Sequence, residues 1–151
     1  MVSLFAFLHH LAAFILVAAL AVEFTLTRGE LTVQNARTLL RADSIFGSAA
    51  GILAAVGLLR VFYFEKGASY YFHSAPFIAK ISLFAAVGLM SIYPTVQFLS
   101  WRTSLREGVL PATAAARVRG IRAVIRWELA GVALIIFCAV LMARGIGHWG
   151  A

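Results

Sequence analysis

Two adjacent histidines, His9 and His10, interrupt the otherwise apolar stretch "FLHHLAAF". A neutral imidazole is a common metal ligand and a good axial ligand for haem iron. Neighbours on a helix diverge by about 100° at 3.6 residues per turn, so only one of the two can face a given centre. Other chemistry-bearing side chains are expected at the same depth. Arg60 lies a turn from the end of the second apolar segment and Lys80 a turn inside the third. Tyr70, Tyr71 and His73 stand between those segments, and His148 follows the fourth. An imidazole flanked by two cations suits an iron porphyrin with its two carboxylates. A second group, Glu23, Asp43 and Glu128, falls at three helix ends near Arg41 and Arg126. Asp43 is expected to pair with a nearby arginine, and Glu128 is the candidate catalytic proton acceptor.

Each of these residues also has a structural reading. A histidine in an apolar helix can serve only as a hydrogen-bonding group. Arg60 and Lys80 can snorkel to the interface, and the tyrosines can belong to an aromatic belt. The separation into one basic, histidine-bearing layer and one acidic layer favours function, because ionisable groups at membrane depth are costly and usually face the bundle interior.

The elements that must position these groups follow from composition. The chain of 151 residues is 62% hydrophobic and 13% charged, against about 45–50% and about 25% in soluble domains. Lipid is the solvent such a chain requires. Four segments suffice to cross it, at roughly 20 residues per crossing, with expected helices at 3–26, 44–64, 75–101 and 114–145. The fold class is therefore all-α, an integral membrane four-helix bundle in a single domain. The first segment lacks the basic start and small-residue cleavage site of a secretory signal and reads as a retained helix. The net charge of +7 reflects arginines gathered in the first and third loops, which places those loops in the cytoplasm and both termini in the periplasm of a bacterial inner membrane. Nucleic acid is not an expected partner. Thr113 to Arg126 reads as the early start of the last helix, lying against lipid headgroups.

Smaller signals refine this picture. Gly47 and Gly51, four residues apart, predict close helix packing, and Pro94 predicts a disturbance of the third helix near the Met90 carbonyl. A lone cysteine, Cys138, excludes CxxCH attachment, so any haem is non-covalent haem b.

Over nearly its whole length the chain resembles a family of small four-helix bacterial membrane proteins, through "FLHHLAAFILVAALAVEF", "LLRADSIFGSAAGILAAVGLLRVFYFEKGASYY" and "SIYPT". It is more distantly similar to the HemJ-type protoporphyrinogen oxidases, through Leu8-His9, Ala79-Lys80 and Arg126-Trp127-Glu128. It departs from them at Leu16, where they carry a tryptophan, at Phe77-Ile78, where they have a histidine, and at Trp127, where they have an asparagine. The resemblance implies haem b binding and oxidation of protoporphyrinogen IX. His9 or His10 would ligate iron, Arg60 and Lys80 would hold carboxylates, Glu128 would accept protons, and a quinone would take the electrons. A copper-handling protein using His9, His10, Met90 and Met142 is the alternative, followed by a structural subunit. The small interior of four short helices makes a homodimer the expected assembly.

Overall fold

The computed structural model describes residues 2–64, 73–147 and 149. Four long helices account for most of them: α1 (Val2–Arg28), α2 (Val33–Leu59), α3 (Ala75–Ser100) and α5 (Ala114–Ala143). A one-turn helix, α4 (Arg102–Arg106), links α3 to α5, and no strand occurs among the described residues. All four long helices are long and apolar enough to cross a membrane. The chain runs up and down in sequence order: α1 packs on α2, α2 on α3, α3 on α5, and α5 closes the ring against α1. Leu16, Leu20, Phe46, Val87 and Val132 are buried between them, while Phe14, Leu89 and Phe137 project outward. That inside-out distribution is natural in lipid, which is as apolar as the side chains it contacts.

The expected start of α2 at residue 44 is too late by eleven positions. Thr32 caps the helix, its Oγ1 accepting a hydrogen bond from Asn35 N at 3.1 Å. Asn35 Nδ2 also donates to Glu30 O at 2.9 Å. Ala36, Leu39, Asp43 and Phe46 then recur at helical spacing on the buried face. Arg37 and Arg41 therefore belong to a helix, and the connection to α1 shrinks to residues 29–32. Arg37 ties α2 to α4, donating from Nη2 and Nε to Leu105 O at 2.8 and 3.3 Å. Trp101, buried beside Phe98 with their rings edge-to-face, anchors the same corner.

The start of α5 was expected on the lipid surface, yet Ile121 and Ile125 are fully buried. Their face continues the core stripe of Glu128, Val132 and Cys138, so the segment extends the span into the bundle. The close approach expected at Gly47 and Gly51 is absent: both are exposed with open space around their Cα atoms. Tight contacts occur instead at Gly57, Gly120 and Gly131, facing His9, Tyr93 and Val87. The small-residue spacing on α2 marks a face turned outward. α3 continues through Pro94, which is buried inside it.

At the other end, the segment after α5 closes on the start of α3. Ala75 N donates to Gly147 O at 3.0 Å and Trp149 N to His73 O at 2.9 Å. Gly147 has a φ of 77°, and an added Cβ would lie 2.9 Å from Pro76 Cδ. Both the backbone conformation and the contact require glycine there.

Candidate functional site

The core stripe of α1 places its polar residues. His9 lies on the same helical face as Ala12, Leu16, Ala19, Leu20, Glu23 and Thr27. A histidine thus stands at one end of a buried apolar run and a glutamate at the other. Fourteen residues separate them, about 21 Å along the axis at 1.5 Å per residue.

His9 is half-buried, and its Nδ1 is buried with no hydrogen-bond partner. Its ring packs on Gly57 of α2, where an added Cβ would be 3.3 Å from Cε1. The charges of Lys80 and Arg60, both half-buried, act on this imidazole. Three helices therefore converge at this level, one contributing His9, one Arg60 and one Lys80. Arg60 also opens a π-helical turn, Arg60–Phe64, directly after α2. Such turns recur at functional sites, and no feature of the sequence announced this one.

His10 does not join the group. It is exposed, and its Nδ1 lies 2.7 Å from Ala6 O one turn back in its own helix. The two imidazole rings stand 6.1 Å apart at 84°, the divergence that helix geometry requires. His9 and His10 are therefore not a metal-chelating pair, and no group of three or more His, Cys, Asp or Glu side chains among the described residues is placed to hold a metal ion. His73 is exposed and meets the C-terminal segment through its backbone carbonyl. Tyr70, Tyr71 and His148 lie outside the described residues.

The acidic layer is more deeply buried. Glu23, Asp43 and Glu128 are 2%, 7% and 1% exposed. They come from α1, α2 and α5 and lie close enough for their charges to interact. The fourth long helix contributes Thr95, whose Oγ1 donates to Asp43 Oδ1 at 2.7 Å. This corrects the expected pairing of Asp43 with an arginine, since Arg41 and Arg126 are exposed. Two other arginines, Arg117, exposed, and Arg122, half-buried, serve oxygen acceptors elsewhere. Arg117 donates to Gln97 Oε1, and Arg122 donates to the carbonyl of Thr27. Glu23 Oε1 and Glu128 Oε1 are left buried with no hydrogen-bond partner.

The two layers are thus chemically opposite and physically apart. The His9 layer offers an imidazole nitrogen and two cations, which suits an anionic ligand with a metal or proton-accepting centre. The Glu23 layer offers carboxyl oxygens and a hydroxyl, groups that can hold and exchange protons. Glu128 belongs to the second layer and lies too far from His9 to exchange a proton with it directly. Thr95, Gln97 and Thr27 were missed in the sequence, although a threonine and a glutamine within "SIYPTVQFLS" are unusual enough in an apolar span to have marked the face.

A family model of predicted membrane proteins, DUF2214, matches residues 2–147. No curated protein and no solved structure matches the chain, so the similarity to HemJ-type enzymes stands on the residues quoted for it alone. The match covers almost the entire chain and agrees with its four apolar spans, and the protein therefore belongs to the DUF2214 family of predicted membrane proteins.

Proposed function

We propose that this multi-span membrane protein binds an anionic porphyrin, non-covalent haem b, at the His9 layer and works as a HemJ-like oxidoreductase on protoporphyrinogen IX with a quinone as electron acceptor. The observation that carries the reading is the half-buried His9 imidazole within reach of the charges of Arg60 and Lys80 from two other elements. An imidazole fits an iron ligand, here through Nε2 since Nδ1 is packed toward Gly57, and two cations from separate helices fit two carboxylates. When bound, the haem would supply one-electron redox chemistry. His9 would hold the metal, with Gly57 fixing the ring from the α2 side. Arg60 and Lys80 would hold the carboxylates through charge-assisted hydrogen bonds, about twice as strong as neutral ones. The divergence of His9 from His10 disfavours the copper alternative.

The orientation belongs to the same proposal. Arg28, Arg37, Arg41, Arg102, Arg106, Arg117, Arg119, Arg122 and Arg126 all lie toward the end of the bundle opposite His9. By the positive-inside rule that end is cytoplasmic, which puts the His9 layer and both termini on the periplasmic side of a bacterial inner membrane.

Haem per protein and the Soret band of the purified protein test the reading. The wild type should carry the band, His9→Ala should lose it and His10→Ala should keep it. Arg60→Gln and Lys80→Gln should insert normally with reduced occupancy. A wild type that takes up no haem, or a His9→Ala protein with an unchanged band, would remove haem ligation from this site.

A further inference from the structure

Glu23, Asp43 and Glu128 reach one depth from three helices and find no cationic partner there among the described residues. Thr95 gives Asp43 a single hydroxyl, while Glu23 and Glu128 each keep a buried Oε1 with no hydrogen-bond partner. Unpartnered ionised carboxylates in a low-dielectric interior are strongly disfavoured. Arg122, half-buried, donates to the Thr27 carbonyl and keeps a buried Nε with no hydrogen-bond partner, and Arg117 donates to Gln97. Arg37, from the early turns of α2, is held by Leu105 O. Among the described residues no cation contacts these carboxyls, so a proton is the simplest way to neutralise them. None of its groupings among the described residues is placed to hold a metal ion, whereas a proton needs only carboxyl oxygens.

The surroundings of the layer are asymmetric. Toward the arginine-rich end lie Thr27, Arg122, Gln97 and Arg117, and Glu23 is five residues from Arg28 at the end of α1. Arg122 is half-buried, and the Thr27 hydroxyl donates to the backbone carbonyls of Glu23 and Phe24. Toward His9 lie Leu16, Ala19, Leu20, Phe46, Val87 and Val132, all buried and apolar. Buried apolar residues line both sides of the layer, Leu39, Phe98, Ile121 and Ile125 lying toward the arginine-rich end, but Glu23 is only five residues, about 7.5 Å along the axis, from the last residue of α1 there, which makes that end the nearer water.

We propose that Glu23, Asp43 and Glu128 form a buried proton-exchange site, loaded and emptied from the water at the arginine-rich end. A proton passes from water to a carboxylate oxygen of the layer and returns by the same route. The proposal does not rest on porphyrin binding, and it holds or fails whatever occupies the His9 layer.

Infrared difference spectroscopy on the full-length protein in phosphatidylcholine nanodiscs tests it. A pH jump should raise and remove a carboxylic C=O stretch that shifts in heavy water. Glu23→Gln and Glu128→Gln should each remove part of that band, and Arg41→Gln, at an exposed position, should leave it intact. Should the Gln variants fail to fold, Glu23→Asp and Glu128→Asp should shift the band without abolishing it. A wild-type carboxyl signal that does not respond to bulk pH would show a locked structural acid and overturn the proposal. So would a pH-dependent band unaltered in every variant. A spectrum that responds to sodium or potassium at constant pH would assign the layer to a metal cation and overturn it equally.

Discussion

Gly131 offers the sharpest test of how α3 and α5 are packed. A Cβ added at this position would lie 2.5 Å from Val87 Cγ2, where carbon atoms in contact normally sit about 3.5–4.0 Å apart. Gly131→Ala therefore demands a displacement of about 1 Å or more. Val87 cannot supply it by rotating, because a β-branched side chain on a helix is confined almost to one χ1 rotamer. The two helices must separate instead, and overpacking of this kind costs about 1–3 kcal/mol. Replacing glycine by alanine inside a helix returns up to about 1 kcal/mol, which leaves a net loss of about 1–2 kcal/mol. Gly88→Ala is the internal control: it is next to Val87, but its added Cβ meets nothing within 4 Å, so that variant should be neutral or slightly more stable. Adding Val87→Ala to Gly131→Ala should recover most of the loss, with a coupling energy of about 1–2 kcal/mol within the range known for contacting residues. Equilibrium unfolding of the full chain in mild detergent measures all four proteins. If Gly131→Ala proves as stable as Gly88→Ala, or the double variant is merely additive, the contact does not exist as described and the packing of α3 on α5 is wrong.

Gly57→Ala brings a Cβ to 3.3 Å from His9 Cε1, a tight contact that a shift of a few tenths of an ångström relieves. Stability should change by less than about 1 kcal/mol, helix propensity offsetting the crowding, while the His9 ring resonances in an NMR spectrum should move; unmoved resonances would place His9 elsewhere. For orientation, alkaline phosphatase fused after Ala151 should be active and green fluorescent protein fused there should be dark, and the opposite pair of results would invert the bundle in the membrane.

The four spans, their rough limits and the two opposed layers of ionisable groups were legible in the sequence. Apolar runs of crossing length and the segregation of basic and acidic residues along them are one-dimensional properties. Helix geometry alone also required His9 and His10 to diverge, since their angular offset follows from adjacency. The early start of α2 was legible too, in Thr32 and in the helical spacing of Ala36, Leu39 and Asp43, but arginines that suit a loop drew the boundary too far along.

Partnership was decided only by the tertiary structure. Which imidazole turns inward depends on the rotation of α1 about its axis, and the buried stripe of Ala12, Leu16, Ala19, Leu20 and Glu23 brings His9 round to Gly57. Whether Asp43 meets an arginine or Thr95 depends on which helix lies beside α2, and the ring order places α3 there. The outward turn of Gly47 and Gly51 has the same origin. A spacing of four residues defines a face, but it does not say what that face meets. In lipid, where apolar contact barely distinguishes a neighbouring helix from an acyl chain, that choice falls to close packing and a few buried polar groups.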